Sequence, residues 1–171
     1  MLYLAYGSNL LPQRLRARVP SAQSVTTVRL PGWSLAFHKR GQDGSAKCDL
    51  VLRPDTTWIA HGAIYRIHPP HRSLLDEAEG LGHGYELSWL RLEGIGKVFL
   101  YRAMPGHIDP QLKPFSWYVD FVRAGARHHG FPPGYVSAIA SVTSMADPDK
   151  ERNRANRAVL ASGEGSTESF R

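Results

Sequence analysis

Two short stretches carry residue types suited to chemistry. The first is Leu75-Asp-Glu-Ala-Glu-Gly80, with three carboxylates in four residues beside the glycine-rich link Gly80-Leu-Gly-His-Gly84. Acid/base catalysis needs a carboxylate held near its substrate and shielded from water. Residues one or two apart on a helix do not share a face, so at most one of Asp76, Glu77 and Glu79 looks into a pocket. Glu79, at the helix end beside Gly80, is best placed to do so; a solvated acidic helix face is the competing reading. The second stretch is Met1-Leu-Tyr-Leu-Ala-Tyr-Gly-Ser-Asn-Leu10. Its apolar start reads as a strand over Leu2–Tyr6 buried on both faces, and Gly7 breaks it. Ser8 and Asn9 are good N-cap residues for an amphipathic helix over 10–18, with Pro12 tolerated in its first turn. A strand, a glycine turn and a helix start gather backbone N–H groups around one point, which suits an anion or a polarised carbonyl oxygen. Gly-Ser-Asn is also ordinary turn chemistry, so a purely structural junction stays open.

Other chemistries fit less well. The Gly-x-x-x-x-Gly-Lys spacing of a phosphate loop is absent, and Ser8 lacks the second flanking glycine of a nucleophile elbow. His68 and His71 around Pro69-Pro70, and the His128-His129 doublet, have neither the ligand count nor the spacing of a zinc site, and no metal is expected. No nucleophile–base pair stands out. Trp33, Trp58, Trp89 and Trp117 read mostly as core residues.

A length of 171 residues suits one compact domain. The lone cysteine, Cys48, excludes an internal disulfide and suits a reducing compartment. No secretory signal and no run of about 20 apolar residues is present, so no membrane association is expected and the cytoplasm is the default location. The net charge of +6 raises nucleic acid as a partner, but the basic residues are scattered. Their one cluster, Lys150, Arg152, Arg154 and Arg157, is offset by Asp147, Asp149 and Glu151, and a small anionic metabolite explains the charge as well.

Strands are expected over 25–30, 33–40, 48–53, 59–67, 85–92 and 97–102, after the first at 2–6. In 33–40, Trp33, Leu35 and Phe37 alternate with Ser34, Ala36 and His38, so one face is buried. Helices are expected over 71–79, with Gly80 as the stop, 116–129, capped by Ser116, and 132–144. Asp147-Pro148 serves as cap and first turn of a polar helix to about residue 160. A mobile Gly/Ser/Glu-rich tail follows over 162–171. These elements give a mixed sheet or small barrel with helices around it. Residues 1–146 form the domain, and 147–171 a C-terminal polar helix and tail.

Taken together, the ordered motifs resemble the gamma-glutamylcyclotransferase family. They are Tyr6-Gly7-Ser8-Asn9, then Leu75-Asp76-Glu77-Ala78-Glu79-Gly80 with Tyr85 closing the link, then Tyr118, Gly125-Ala126, Gly130-Phe131-Pro132 and Tyr135. The set spans roughly residues 2 to 140, and Asn9 is similar to the Tyr-Gly-Ser-Asn branch, whose members act on gamma-glutamyl amino acids or dipeptides. The resemblance implies an α+β fold: a mixed, largely antiparallel, closed or nearly closed β-barrel flanked by helices. It implies no metal or organic cofactor, and a small gamma-glutamyl compound as substrate, with a homodimer left open. In the implied reaction the α-amine attacks its own γ-carbonyl, giving 5-oxoproline and a released amine or amino acid. Glu79 is the implied general base and acid. Ala5, Tyr6, Gly7, Ser8, Asn9, Tyr85 and Tyr118 are the implied substrate-binding residues. Cyclisation of gamma-glutamylamines or gamma-glutamyl acyl intermediates, and a non-catalytic anion-binding module of the same fold, are the alternatives.

Overall fold

The computed structural model describes residues 1–164. Seven strands form: β1 (Leu2–Ala5), β2 (Gln23–Pro31), β3 (Trp33–Arg40), β4 (Ala46–Leu52), β5 (Ile59–Arg66), β6 (Tyr85–Leu92) and β7 (Gly96–Ala103). Five α-helices accompany them: α1 (Pro12–Arg18), α2 (Arg72–Glu79), α3 (Ser116–His128), α4 (Pro133–Ala140) and α5 (Lys150–Glu164). The fold is mixed α+β. Five strands pair in the order β2-β5-β1-β7-β6, antiparallel except where β1 meets β7 at Tyr3–Phe99, and β3 pairs with β4 as a separate antiparallel sheet. The largely antiparallel pairing is as expected; a closed ring of strand pairs is not among the pairings described.

Strand β1 lies at the centre because nothing in it needs water: Leu4 and Ala5 are fully buried and Tyr3 nearly so. Helix α3 covers this region with Trp117, Tyr118, Phe121, Val122 and Ala126. The chain leaves β1 through a single 3-10 turn at Ser8–Leu10, against which α3 packs. Among the described residues, no helix is long and apolar enough to cross a membrane.

Several local expectations need correcting. Neither Ser8 nor Asn9 caps α1; Leu11 occupies the cap position, and Pro12, which has no N–H to satisfy, starts the helix. Ser116 does not cap α3, where Phe115 takes that place, and α4 stops at Ala140. Of the four tryptophans Trp117 is core and Trp33 packs partly buried against the core, whereas Trp58 and Trp89 are exposed, beneath the cations of Arg53 and Lys97. Helix α5 runs through Ser162 to Glu164, and the rest of the expected tail, 165–171, lies outside the described residues.

The cap of α5 is Asp149, whose Oδ1 accepts from the N–H groups of Glu151 and Arg152. Asp147 turns inward instead. Its side chain is fully buried and accepts from Arg152 at 2.6 and 2.7 Å and from Trp117 Nε1 at 2.8 Å. The Arg152 hydrogen bonds hold the Asp147 carboxyl well below the usual carboxylate range, against the opposing effect of burial. A depressed carboxyl adds stability above its unfolded pKa of about 3.9 and loses it as pH falls below that. Asp147→Asn is therefore expected to cost about 1.5 kcal/mol at pH 7, the scale of a hydrogen bond to a charged group. In urea melts the gap from wild type should narrow steadily as pH falls below about 4.

Candidate functional site

Glu79 is delivered to its place by the way α2 ends. Gly80 adopts φ +67°, a left-handed conformation that glycine takes without a Cβ penalty. The Leu81 N–H then donates to Asp76 O at 2.9 Å and the Gly80 N–H to Glu77 O at 3.0 Å, the paired bonds of a Schellman stop. The three carboxylates divide as helix geometry requires. Asp76 accepts from Tyr101 OH at 2.5 Å and pairs with Arg72, Glu77 is exposed, and Glu79 turns in, with 15 % of its side chain accessible.

The turn after β1 meets it there. Asn9 Nδ2 donates to Glu79 Oε1 at 2.8 Å and is also 3.1 Å from Tyr3 OH, while Arg18 Nη1 reaches both Glu79 Oε1 and Asn9 Oδ1 at 3.1 Å. Oε1 is thus held by two donors, and Oε2 makes no hydrogen bond among the described residues. Gly7 is pressed against β4: a Cβ there would lie 2.9 Å from Cys48 Cβ and 3.5 Å from Tyr118 OH. The close approach admits no side chain larger than hydrogen without movement.

These groups border two adjoining spaces. An outer cleft of about 400 Å³ is lined by Ser8, Arg14, Arg18, Lys39, Lys47, Glu79, Tyr85 and Tyr118, among others. An inner cavity of about 20 Å³, room for roughly one water, is lined by Tyr3, Tyr6, Gly7, Ser8, Asn9, Cys48 and Tyr101. Ser8, Glu79, Tyr85 and Tyr118 border both. Glu79, Tyr6, Gly7, Ser8, Asn9, Tyr85 and Tyr118 therefore come together, although some seventy residues separate Glu79 from the turn. Ala5 is the exception: it is fully buried, paired with Ala63 across β5, and borders neither space.

The tyrosines shape the site and do not titrate in it. Burial pushes the phenols of Tyr6, Tyr85 and Tyr118 well above their ordinary value, so they stay neutral. Tyr6 OH donates to Tyr101 O and Tyr85 OH to Cys48 O, while Tyr118 OH accepts from the Cys48 N–H at 3.0 Å. Burial also pushes the Cys48 thiol up, away from the thiolate a nucleophile needs.

Sequence reasoning missed Arg18, Tyr3, Cys48 and Lys39. Arg18 left no trace in local pattern, since its charged partner Glu79 comes from a helix sixty-one positions away. Lys39 shares the sequence parity of Trp33, Leu35 and Phe37, but the expected one-faced burial of β3 does not hold, since Ser34 is buried too and the pairing slips between Phe37 and Lys39.

No family model matches the chain. Among curated proteins, the mouse (Mus musculus) gamma-glutamylcyclotransferase is 29% identical over 151 residues, covering 82% of this chain and 78% of that protein. The human (Homo sapiens) gamma-glutamylcyclotransferase is 27% identical over the same coverage. A solved structure described as a gamma-glutamyl cyclotransferase superposes with a TM-score of 0.77 at 22% identity, over 92% of this chain and 98% of its own. Over four-fifths of its length the chain is thus similar in sequence to gamma-glutamylcyclotransferases, and it shares the fold of a solved gamma-glutamyl cyclotransferase.

Proposed function

We propose that the protein is a cyclotransferase that converts a gamma-glutamyl compound to 5-oxoproline and a released amine or amino acid, with Glu79 as base and acid. The observation that carries this reading is the hydrogen bond from Asn9 to Glu79 Oε1, which sets the carboxylate at the junction of cleft and inner cavity.

The substrate's α-nitrogen is an ammonium at neutral pH and has no free pair for attack. Glu79, oriented through Oε1 by Asn9 and Arg18, takes a proton on Oε2. The freed amine attacks the γ-carbonyl carbon, the ring C–N bond forms, and a tetrahedral oxyanion develops. Collapse breaks the bond to the leaving nitrogen, to which Glu79 returns its proton. In total two protons pass from the α-nitrogen to the departing group, which leaves as an ammonium. Within the 3-10 turn, Leu10 N–H donates to Gly7 O, while the N–H groups of Ser8 and Asn9 find no acceptor inside it. Those two amides are the donors for the oxyanion or for the α-carboxylate. Holding nitrogen and carbonyl together is worth up to about 7–11 kcal/mol when geometry is ideal, so a shaped cleft and one carboxylate carry much of the barrier.

The same reading treats the two sheets as one nearly closed wall around the site. Arg102 Nε donating to Leu50 O at 3.1 Å, and Ala103 N–H to Asp49 Oδ1 at 2.9 Å, support it by tying β7 to β4. The functional test is incubation with gamma-glutamyl dipeptides, gamma-glutamyl amines and glutathione, scoring 5-oxoproline. Release from at least one of them is expected. Silence across the panel overturns the reading.

A further inference from the structure

The outer cleft contains more positive charge than the proposed chemistry uses. Arg18 is occupied by Glu79 and Asn9. Lys47 is occupied by Asp43 at 2.6 Å and Ser45 at 2.7 Å. Lys39 differs from both: the residue is only 4% exposed, it lines the cleft, and its ammonium makes no hydrogen bond among the described residues. It rests on the face of Tyr85, 4.4 Å from Nζ to the ring centroid, and feels the charges of Glu79 and Asp43 without hydrogen-bonding to either. Partial burial pushes the Lys39 pKa down, against the raising influence of Glu79 and Asp43, and an ammonium partly withdrawn from water is normally paired.

The surroundings are built to keep that ammonium where it is. The pairing of β3 with β4 slips between Phe37 and Lys39, an irregularity of the kind that re-aims side chains beside sites. Across from it, a Cβ at Gly84 (φ +120°) would sit 2.7 Å from Lys39 Cε and 2.8 Å from Nζ, so the lysine as placed fills the space left by the missing side chain. Arg14 adds a second cation with no carboxylate partner among the described residues. Its guanidinium lies 4.1 Å over Phe121 and donates to Asn156, and its buried Nε is unpaired.

We propose that Lys39 binds a carboxylate on the leaving group, and so decides whether a gamma-glutamyl compound is accepted by what its departing amine carries. This rests on the proposed reaction. The glutamyl head reacts at Glu79 and the turn at 7–9, and the departing portion extends into the outer cleft, where the unpaired ammonium waits. An amine lacking the carboxylate leaves Lys39 unsatisfied, and discrimination is strong when a missing group strands a buried polar partner.

The test compares gamma-glutamyl-L-alanine with gamma-glutamylethylamine, which differ only by that carboxylate, using purified full-length protein. Wild type is expected to favour the alanine compound by about 10–100-fold in kcat/KM, the scale of one hydrogen bond to a charged group. In Lys39→Met that ratio falls toward 1, and Lys39→Gln, which keeps a neutral donor, falls between; circular dichroism checks that each variant folds. Equal use of both compounds by wild type overturns the inference while leaving the cyclotransferase reading intact. So does a parallel loss on both in Lys39→Met, which would put the lysine on the glutamyl α-carboxylate. Release of 5-oxoproline from neither compound, nor from any other gamma-glutamyl compound, overturns both.

Discussion

Glu79→Gln is expected to lower the rate of 5-oxoproline release by about 10²–10⁴-fold, the range a positioned general base contributes. The substitution is close to isosteric, and the Gln Oε1 can still accept from Asn9 Nδ2 and Arg18 Nη1, so the site should keep its shape. What is lost is the proton acceptor: an amide cannot take a proton from an ammonium at neutral pH. The expected signature is a collapse of kcat with KM changed much less, because the cleft that binds substrate is unaltered. Thermal unfolding should move little, since Arg18 is a quarter exposed and its pairing with Glu79 contributes modestly. A Gln variant that releases 5-oxoproline at the wild-type rate would remove Glu79 from the mechanism.

The fold and half of the site could be read from the chain because both are written locally. Strands β3 and β6 have the expected limits, Trp33–Arg40 and Tyr85–Leu92, since alternation and flanking turns mark them. Gly80 marks the end of α2 for the same reason: only a left-handed residue makes that stop, and this places Glu79. Misreadings cluster where two nearby residues compete for one role. Asp147 and Asp149 are both good caps in sequence, and only the packing of Trp117 and Arg152 decides that Asp147 is buried and Asp149 caps. Ser8 and Asn9 looked like caps, yet the Asn9 amide is claimed by Tyr3, Glu79 and Arg18. Those partners assemble only through the tertiary fold, and no periodicity announces them. Electrostatic occupancy is hidden in the same way, since +6 summed over the chain cannot say that the Lys39 ammonium has no hydrogen-bond acceptor among the described residues while Lys47 has two.

Gly125→Ala is expected to be among the most damaging single-methyl changes in the molecule. Glycine within a helix is normally a weakness, and alanine there would gain about 1 kcal/mol of helix propensity. At position 125 packing opposes this: a Cβ would lie 2.4 Å from Leu10 Cβ, 2.7 Å from Leu10 C and 2.7 Å from Leu11 N. Two of those three atoms are backbone, so no rotamer change relieves the clash, and α3 must move away from the Ser8–Leu11 turn. Overpacking of this kind costs typically about 1–3 kcal/mol and more where the backbone resists, so packing outweighs propensity. For a chain of this length a net loss of about 2 kcal/mol lowers Tm by roughly 4–8 °C. The displaced turn is also the one that holds Asn9 against Glu79, so kcat should fall together with Tm. Gly134→Ala is the matched control. It lies in α4 with open space where its Cβ would go, and should raise Tm slightly while leaving turnover untouched. If Gly125→Ala melts no lower than Gly134→Ala, the close contact between α3 and the site turn is not what holds that turn in place.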